Sequence, residues 1–218
     1  MQRDSNSPPD TRKLAFALCL AFSLWFYMFS PWTAGLTNFW LNMSISALLL
    51  SSIAISGVGC KSCRLKCGGC EFFGQLMLGI AIAFTLWGIF WLGDKVSQMI
   101  FSFARGQVDN VYAMKSGSNA TLISILLLVI IGPAEEFFWR GYIQKTFSNR
   151  IGPNGAFVVT ALLYALAHIW SFNFMLVMAA LVAGTIWGLI YRLKPSLLPA
   201  LVISHALWDA LVFVIIPI

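Results

Sequence analysis

Residues 121–142 read TLISILLLVIIGPAEEFFWRGY: no charge before Glu135, then two adjacent carboxylates, then Arg140 one helical turn later. A carboxylate pair at membrane depth is costly. Where such groups occur they face a protein interior or a water-filled cavity and mark function. The plainer alternative is a helix end, with the charges already in the headgroup layer.

Similar apolar runs recur on both sides of this one. Of the 218 residues 59% are hydrophobic and 10% charged, against about 25% charged in soluble domains. The composition specifies an integral membrane protein, all-α, folded as a polytopic helical bundle. At roughly 20 residues per span, seven candidate spans lie at about 14–32, 36–59, 72–93, 120–140, 156–172, 175–192 and 197–217.

The net charge of +6 is a topology signal and not a nucleic-acid footprint. With the N-terminus in the cytosol, Arg3, Arg12, Lys13, Lys61, Arg64, Lys66, Lys145, Arg150, Arg192 and Lys194 fall inside. Lys95, Arg105 and Lys115 fall outside, and Arg140 lies at membrane depth. This asymmetry predicts N-in, C-out, in a multi-pass protein of the cell membrane. Trp32, Trp40, Trp91 and Trp170 fall near the outer interface, where amphipathic rings gather.

Three regions follow. Residues 1–13 read as a mobile cytosolic tail before an uncleaved anchor. Residues 14–117 form a three-span portion with a cytosolic cysteine loop and a long outer connection at 94–119. Within that connection Val96, Met99, Ile100 and Phe103 keep helical spacing. They predict either a short amphipathic helix along the interface or an extension of the third span. Residues 118–218 form a four-span portion that holds the catalytic candidates. The loop cysteines Cys60, Cys63, Cys67 and Cys70 read as free or modified thiols, or as a small metal knuckle. A cytosolic place argues against disulfides, and the spacing assigns no site.

The four-span portion concentrates its polar groups. His168 and His205 are the two histidines of the chain, and both lie in apolar spans. Asp209 is four residues after His205, so the two share a helix face. Glu136 and Arg140 are also four apart, with the acid first, the better order for an ion pair. Glu135 is turned about 100° away and stays out of that pairing. The spacing suggests a division: one glutamate neutralised by Arg140, the other available as a general base. The histidines would donate to a developing oxyanion or hold the water. At 1.5 Å per residue all of these groups fall in the cytosolic half of the bilayer or near its midplane.

Three motifs then line up in order on separate spans. Glu135-Glu136-Phe137-Phe138-Trp139-Arg140 resembles the E-E-x-x-x-R motif of the CAAX-protease and bacteriocin-processing (CPBP) family of intramembrane glutamic endopeptidases. Tyr164 to His168 resembles its F-x-x-x-H motif, and His205 to Asp209 its H-x-x-x-N/D motif. The resemblance covers about 118–212. It implies that Glu135 activates the attacking water, that Glu136 and Arg140 support the site, and that His168 acts as a catalytic or water-positioning group. It further implies that His205, with Asp209, stabilises the oxyanion. Two residues depart from the pattern. Tyr164 replaces phenylalanine and brings a hydroxyl that needs a partner. Asp209 stands where eukaryotic members use Asn, and an ionised Asp accepts hydrogen bonds without donating; it would orient His205 instead.

The implied activity is endopeptidase cleavage of a lipidated protein or of a small hydrophobic, bacteriocin-like peptide, with no cofactor. Zinc held by the His, Glu and Asp side chains is the alternative, without an H-E-x-x-H helix to support it. A non-catalytic membrane scaffold or bacteriocin-immunity protein is the rival from another class, and a proton-relaying transporter a third. Neither substrate identity nor oligomeric state is written in the sequence.

Overall fold

The computed structural model describes residues 11–58 and 69–218; the thiols of Cys60, Cys63, Cys67 and Cys70 lie outside that description. Among the described residues the fold is entirely helical. In a bilayer each backbone N–H and C=O must be satisfied within its own segment, which helices achieve.

Helix α1 (Thr11–Phe29) buries Leu14, Ala17, Ala21, Trp25 and Met28, one stripe at three- and four-residue spacing. After α2 (Phe39–Val58) comes α3 (Gly69–Ile100), a 32-residue helix longer than the span read at 72–93. Lys95 to Ile100 therefore extend the third helix. The amphipathic element lies beyond it, as α4 (Ala104–Ala113), held by an Arg105–Asp109 pair at 2.6 Å. One acid in the three-span portion also leaves the loop assigned to it: Asp94 is buried near the end of α3.

Residues Ala120–Ser171 form one helical run of 52 residues. Straight, it would extend roughly 78 Å, more than twice the ~30 Å hydrocarbon core. It reverses at Gly152, whose φ of 76° suits a residue without Cβ, and Pro153 follows. Among the described residues six helical runs, against the seven spans read from the sequence, are long and apolar enough to cross a membrane, and this one is folded back on itself. Within this hairpin lie α5 (Ala120–Leu126), α6 (Gly132–Glu136) and α7 (Lys145–Ala167). Asn119 opens the hairpin by accepting from the Leu122 N–H, and Asn173 caps α8 (Phe174–Leu193) in the same way. The last helix, α9 (Leu198–Ala210), starts with Pro199 in its first turn.

Helix α9 packs between α3 and the hairpin. Gln75 brackets it, donating to Ser196 O and accepting from Ala200 N. On the other side, a Cβ at Gly132 would sit 2.6 Å from Ala206 Cα, so glycine permits the close crossing of α6 and α9. That crossing brings Glu136 to His205.

Candidate active site

Glu135 and Glu136 occupy α6, a five-residue piece between two widened stretches, Leu127–Ile131 and Phe137–Gln144. In these the backbone bonds five residues apart, as from the Gly132 N–H to Leu127 O. Such widened turns recur at functional sites because they re-aim side chains.

The two glutamates have different surroundings. Glu136 is fully buried, and its Oε1 accepts from Arg140 at 2.6 Å and from His205 Nδ1 at 2.8 Å. Arg140 also donates to Gly184 O at 3.2 Å and lies 5.0 Å from the centre of the Tyr164 ring and 5.4 Å from that of Trp187. Glu135 accepts one hydrogen bond, from the Tyr164 hydroxyl to Oε2 at 3.0 Å. Its Oε1 has no donor among the described residues.

The hydroxyl that distinguishes Tyr164 from the motif's phenylalanine is therefore satisfied by Glu135. Tyr164 comes from the opposite arm of the hairpin, so the reversal at Gly152 is what lets the two motifs meet.

His205 is held on three sides. Its Nδ1 faces Glu136, so that nitrogen carries the proton. Its ring stacks on Trp187 with centroids 4.0 Å apart and planes 20° from parallel, and the Trp187 indole is pinned by Ser204 Oγ at 3.1 Å. Asp209 Oδ2 stands 3.6 Å from His205 Nε2, beyond hydrogen-bond length.

His168, in the turn that ends the hairpin, has both nitrogens engaged. Nδ1 bonds the Tyr164 carbonyl at 2.9 Å and so must carry hydrogen. Nε2 then accepts from the Trp25 indole at 3.2 Å. Trp25 is a site residue that sequence reasoning missed. Its signal was present, since it lies on the apolar stripe of α1, but nothing in that stripe points to a histidine far along the chain.

Glu135, Tyr164, His168, His205 and Asp209 all line one cavity of about 100 Å³, walled otherwise by apolar side chains. It has room for water beside Glu135. Glu136 and Arg140 stand behind this cavity and not in its wall. Among the described residues no three His, Cys, Asp or Glu side chains converge as a metal-ligand set. The Nε2 lone pair of His168 and Oε1 of Glu136 are already bonded within the protein.

Residues 117–211 match the family model of the Rce1-like type II CAAX prenyl endopeptidases. Over that stretch, less than half of the chain, the sequence is similar to this family. The match takes in all three motifs and agrees with the CPBP resemblance they carry. Comparison with curated proteins and with solved structures gives no match. The match lies within a chain whose described residues include six helices long and apolar enough to cross a membrane, as an integral membrane protein requires.

Proposed function

We propose that the protein is an intramembrane glutamic endopeptidase in which Glu135 is the general base. The observation that carries this reading is the inequality of the glutamates. Each glutamate has an oxygen without a donor among the described residues, but Glu136 is buried behind the cavity with Arg140 and His205 on its Oε1, while Glu135 lines the cavity and can meet a water there.

In this reading a water in the cavity gives a proton to Glu135 Oε1 as its oxygen attacks the scissile carbonyl carbon. The Tyr164 hydroxyl fixes the carboxylate from the other side. The carbonyl oxygen becomes an oxyanion facing His205. Nε2 of His205 donates to it only in the doubly protonated ring, whose charge Glu136 and Asp209 neutralise. Asp209 is thus assigned to balancing His205. Collapse of the intermediate breaks the C–N bond, and the Glu135 proton passes to the leaving amine. His168 orients Tyr164 through its backbone carbonyl and reaches the substrate when Trp25 releases Nε2. No metal takes part.

The substrate in this proposal is a prenylated protein or peptide, on the strength of a family description that names a CAAX prenyl endopeptidase. The N-terminus is cytosolic, on the strength of the Lys/Arg asymmetry.

The experiment is cleavage of a fluorogenic prenylated peptide by the protein in proteoliposomes. Glu135→Gln should lower the rate by at least 10³-fold, an order-of-magnitude loss for a removed general base, with unchanged yield and thermal midpoint. Wild-type protein should keep its rate after exhaustive chelation. Cleavage by Glu135→Gln at the wild-type rate would overturn the assignment, and loss of activity on chelation restored by Zn²⁺ would overturn the metal-free step.

A further inference from the structure

A second cavity, of about 470 Å³, lies between α3, α4, α8 and the chain's last eight residues. This is within the ~300–1,000 Å³ range of small-molecule sites. Its lining is apolar, including Phe90, Val108, Val182 and Val212. Val96, Ile100 and Phe174 line it and are also exposed, so it opens sideways onto the apolar surface. Val111, Leu176, Ala179, Trp208 and Phe213 line both this chamber and the catalytic cavity and form the partition between them.

Polar groups gather at one end. Asp94 lines the chamber with 6% of its surface exposed. Its Oδ2 accepts from Gln98 at 2.6 Å, but its Oδ1 accepts no hydrogen bond, the nearest cation being Arg105 at 3.8 Å. Lys95 lies 3.6 Å from Oδ2, and Asp109 pairs with Arg105. Arg105 also donates to Ile218 O at 3.3 Å and Lys115 to Phe213 O at 2.8 Å, so each cation at this end already has a partner within the chain. Asp94 is 23 residues after Glu71 on α3, roughly 35 Å of helix. The apolar stretch between them fills the ~30 Å hydrocarbon core and puts Asp94 at headgroup level.

An apolar chamber open to the bilayer is unfavourable empty and unfavourable wet. A hydrocarbon chain from the surrounding lipid satisfies it. The cations at the headgroup end are already engaged by Asp94, Asp109 and backbone carbonyls, which favours a zwitterionic lipid over an anionic one. A buried carboxylate oxygen without a donor favours a headgroup that has N–H bonds to give. An ethanolamine ammonium has them, and a choline does not. We infer that this chamber is a binding site for one bilayer phospholipid of the ethanolamine class, its acyl chain against Trp208 and Phe213 and its ammonium on Asp94. This inference does not depend on the protease reading.

The test is native mass spectrometry of the full-length protein after equilibration in nanodiscs of equimolar phosphatidylethanolamine and phosphatidylcholine. One ethanolamine lipid should be retained, with about tenfold preference, the scale of a hydrogen bond to a charged group. Asp94→Asn should reduce that preference to near unity. Val182→Trp, which fills the chamber, should abolish retention at unchanged thermal midpoint. As a readout free of substitutions, phosphatidylethanolamine with a photoreactive group at its acyl end should label α8 and residues 208–213 in the wild type. Equal retention of the two lipids, or labelling confined to the exposed faces of α2, would overturn the site. One-for-one displacement of the lipid by a prenylated tetrapeptide would also overturn it, by giving the chamber to the substrate's own chain.

Discussion

The Tyr164 hydroxyl donates to Oε2 of Glu135 across 3.0 Å and ties together the two arms of the 120–171 hairpin at the carboxylate proposed as base. The bond leaves Oε1 as the oxygen facing water. Tyr164→Phe restores the family's own residue and keeps the ring beside Arg140. It removes a hydrogen bond to a carboxylate, so kcat should fall about tenfold with KM unchanged, the scale of such a bond. Steady-state kinetics on the prenylated peptide measures it. A larger effect on KM than on kcat would show that Tyr164 acts on substrate binding instead.

Arg140 is 1% exposed and Glu136 is fully buried. Arg140→Leu strips the acid of its main counter-charge and should cost about 3–5 kcal/mol, the usual penalty for leaving one member of a buried pair behind. The double variant Glu136→Leu with Arg140→Leu should recover much of that loss. Thermal unfolding followed by tryptophan fluorescence in detergent reads both. Recovery of catalysis is not expected, because His205 loses its Nδ1 partner in the double variant.

The Trp25 indole bonds His168 Nε2 at 3.2 Å and meets Trp139 edge-on at a centroid distance of 6.4 Å. Trp25→Phe keeps much of the aromatic packing and removes the donor. Stability should fall by about 1 kcal/mol, the typical net value of a hydrogen bond, and cleavage by less than tenfold. His168→Ala should reduce cleavage by at least about 10²-fold. If Trp25→Phe were as inactive as His168→Ala, the indole itself would be part of the catalytic machinery.

Helix α4 lies outside the spans and carries a pH-sensitive clip. The Arg105 side chain, hydrogen-bonded to Asp109, holds that carboxyl below its ordinary range. A depressed folded value means that the clip contributes fully above the ordinary carboxylate value near about 3.9. The contribution is lost as pH falls through the folded value. Hydrogen exchange across 104–113, corrected for intrinsic rates, should therefore rise on acidification. Asp109 is exposed, so the effect should be small and should shrink further in high salt. Asp94 and Tyr112, the other titratable groups facing Arg105, make substitution of Asp109→Asn the necessary control.

Much of this was legible in the sequence. The apolar runs and their spacing give the helical membrane bundle, because length and hydropathy act locally. The Glu136–Arg140 contact follows from a four-residue separation on one helix. The reversal near Gly152 is marked by Gly-Pro and by the flanking Lys145 and Arg150. The remainder depends on tertiary contact. No residue preference announces the widened turns around α6 or the close approach of Gly132 to Ala206 on α9. Trp25 meets His168 across 143 positions, where single-sequence reading has no warrant to pair them. Asp94 read as a loop residue because a lone acid after an apolar run marks a span's end. Beyond it the helix continues to Ile100 with Ser97 as its buried residue, and Gln98 reaches back one turn to bond the Asp94 carboxylate.

The one-turn spacing of Glu136 and Arg140 also matters before the fold exists. During synthesis the hairpin enters the bilayer before α9 has been made, so neither His205 nor Asp209 is yet there to receive the glutamates. Arg140 arrives on the same helix and four residues away, and partitioning into lipid becomes easier for an acid that brings its own counter-ion. The pair lets the membrane accept a reactive segment while it is still incomplete. On this view a nascent chain stays chemically inert until its last helix has been inserted.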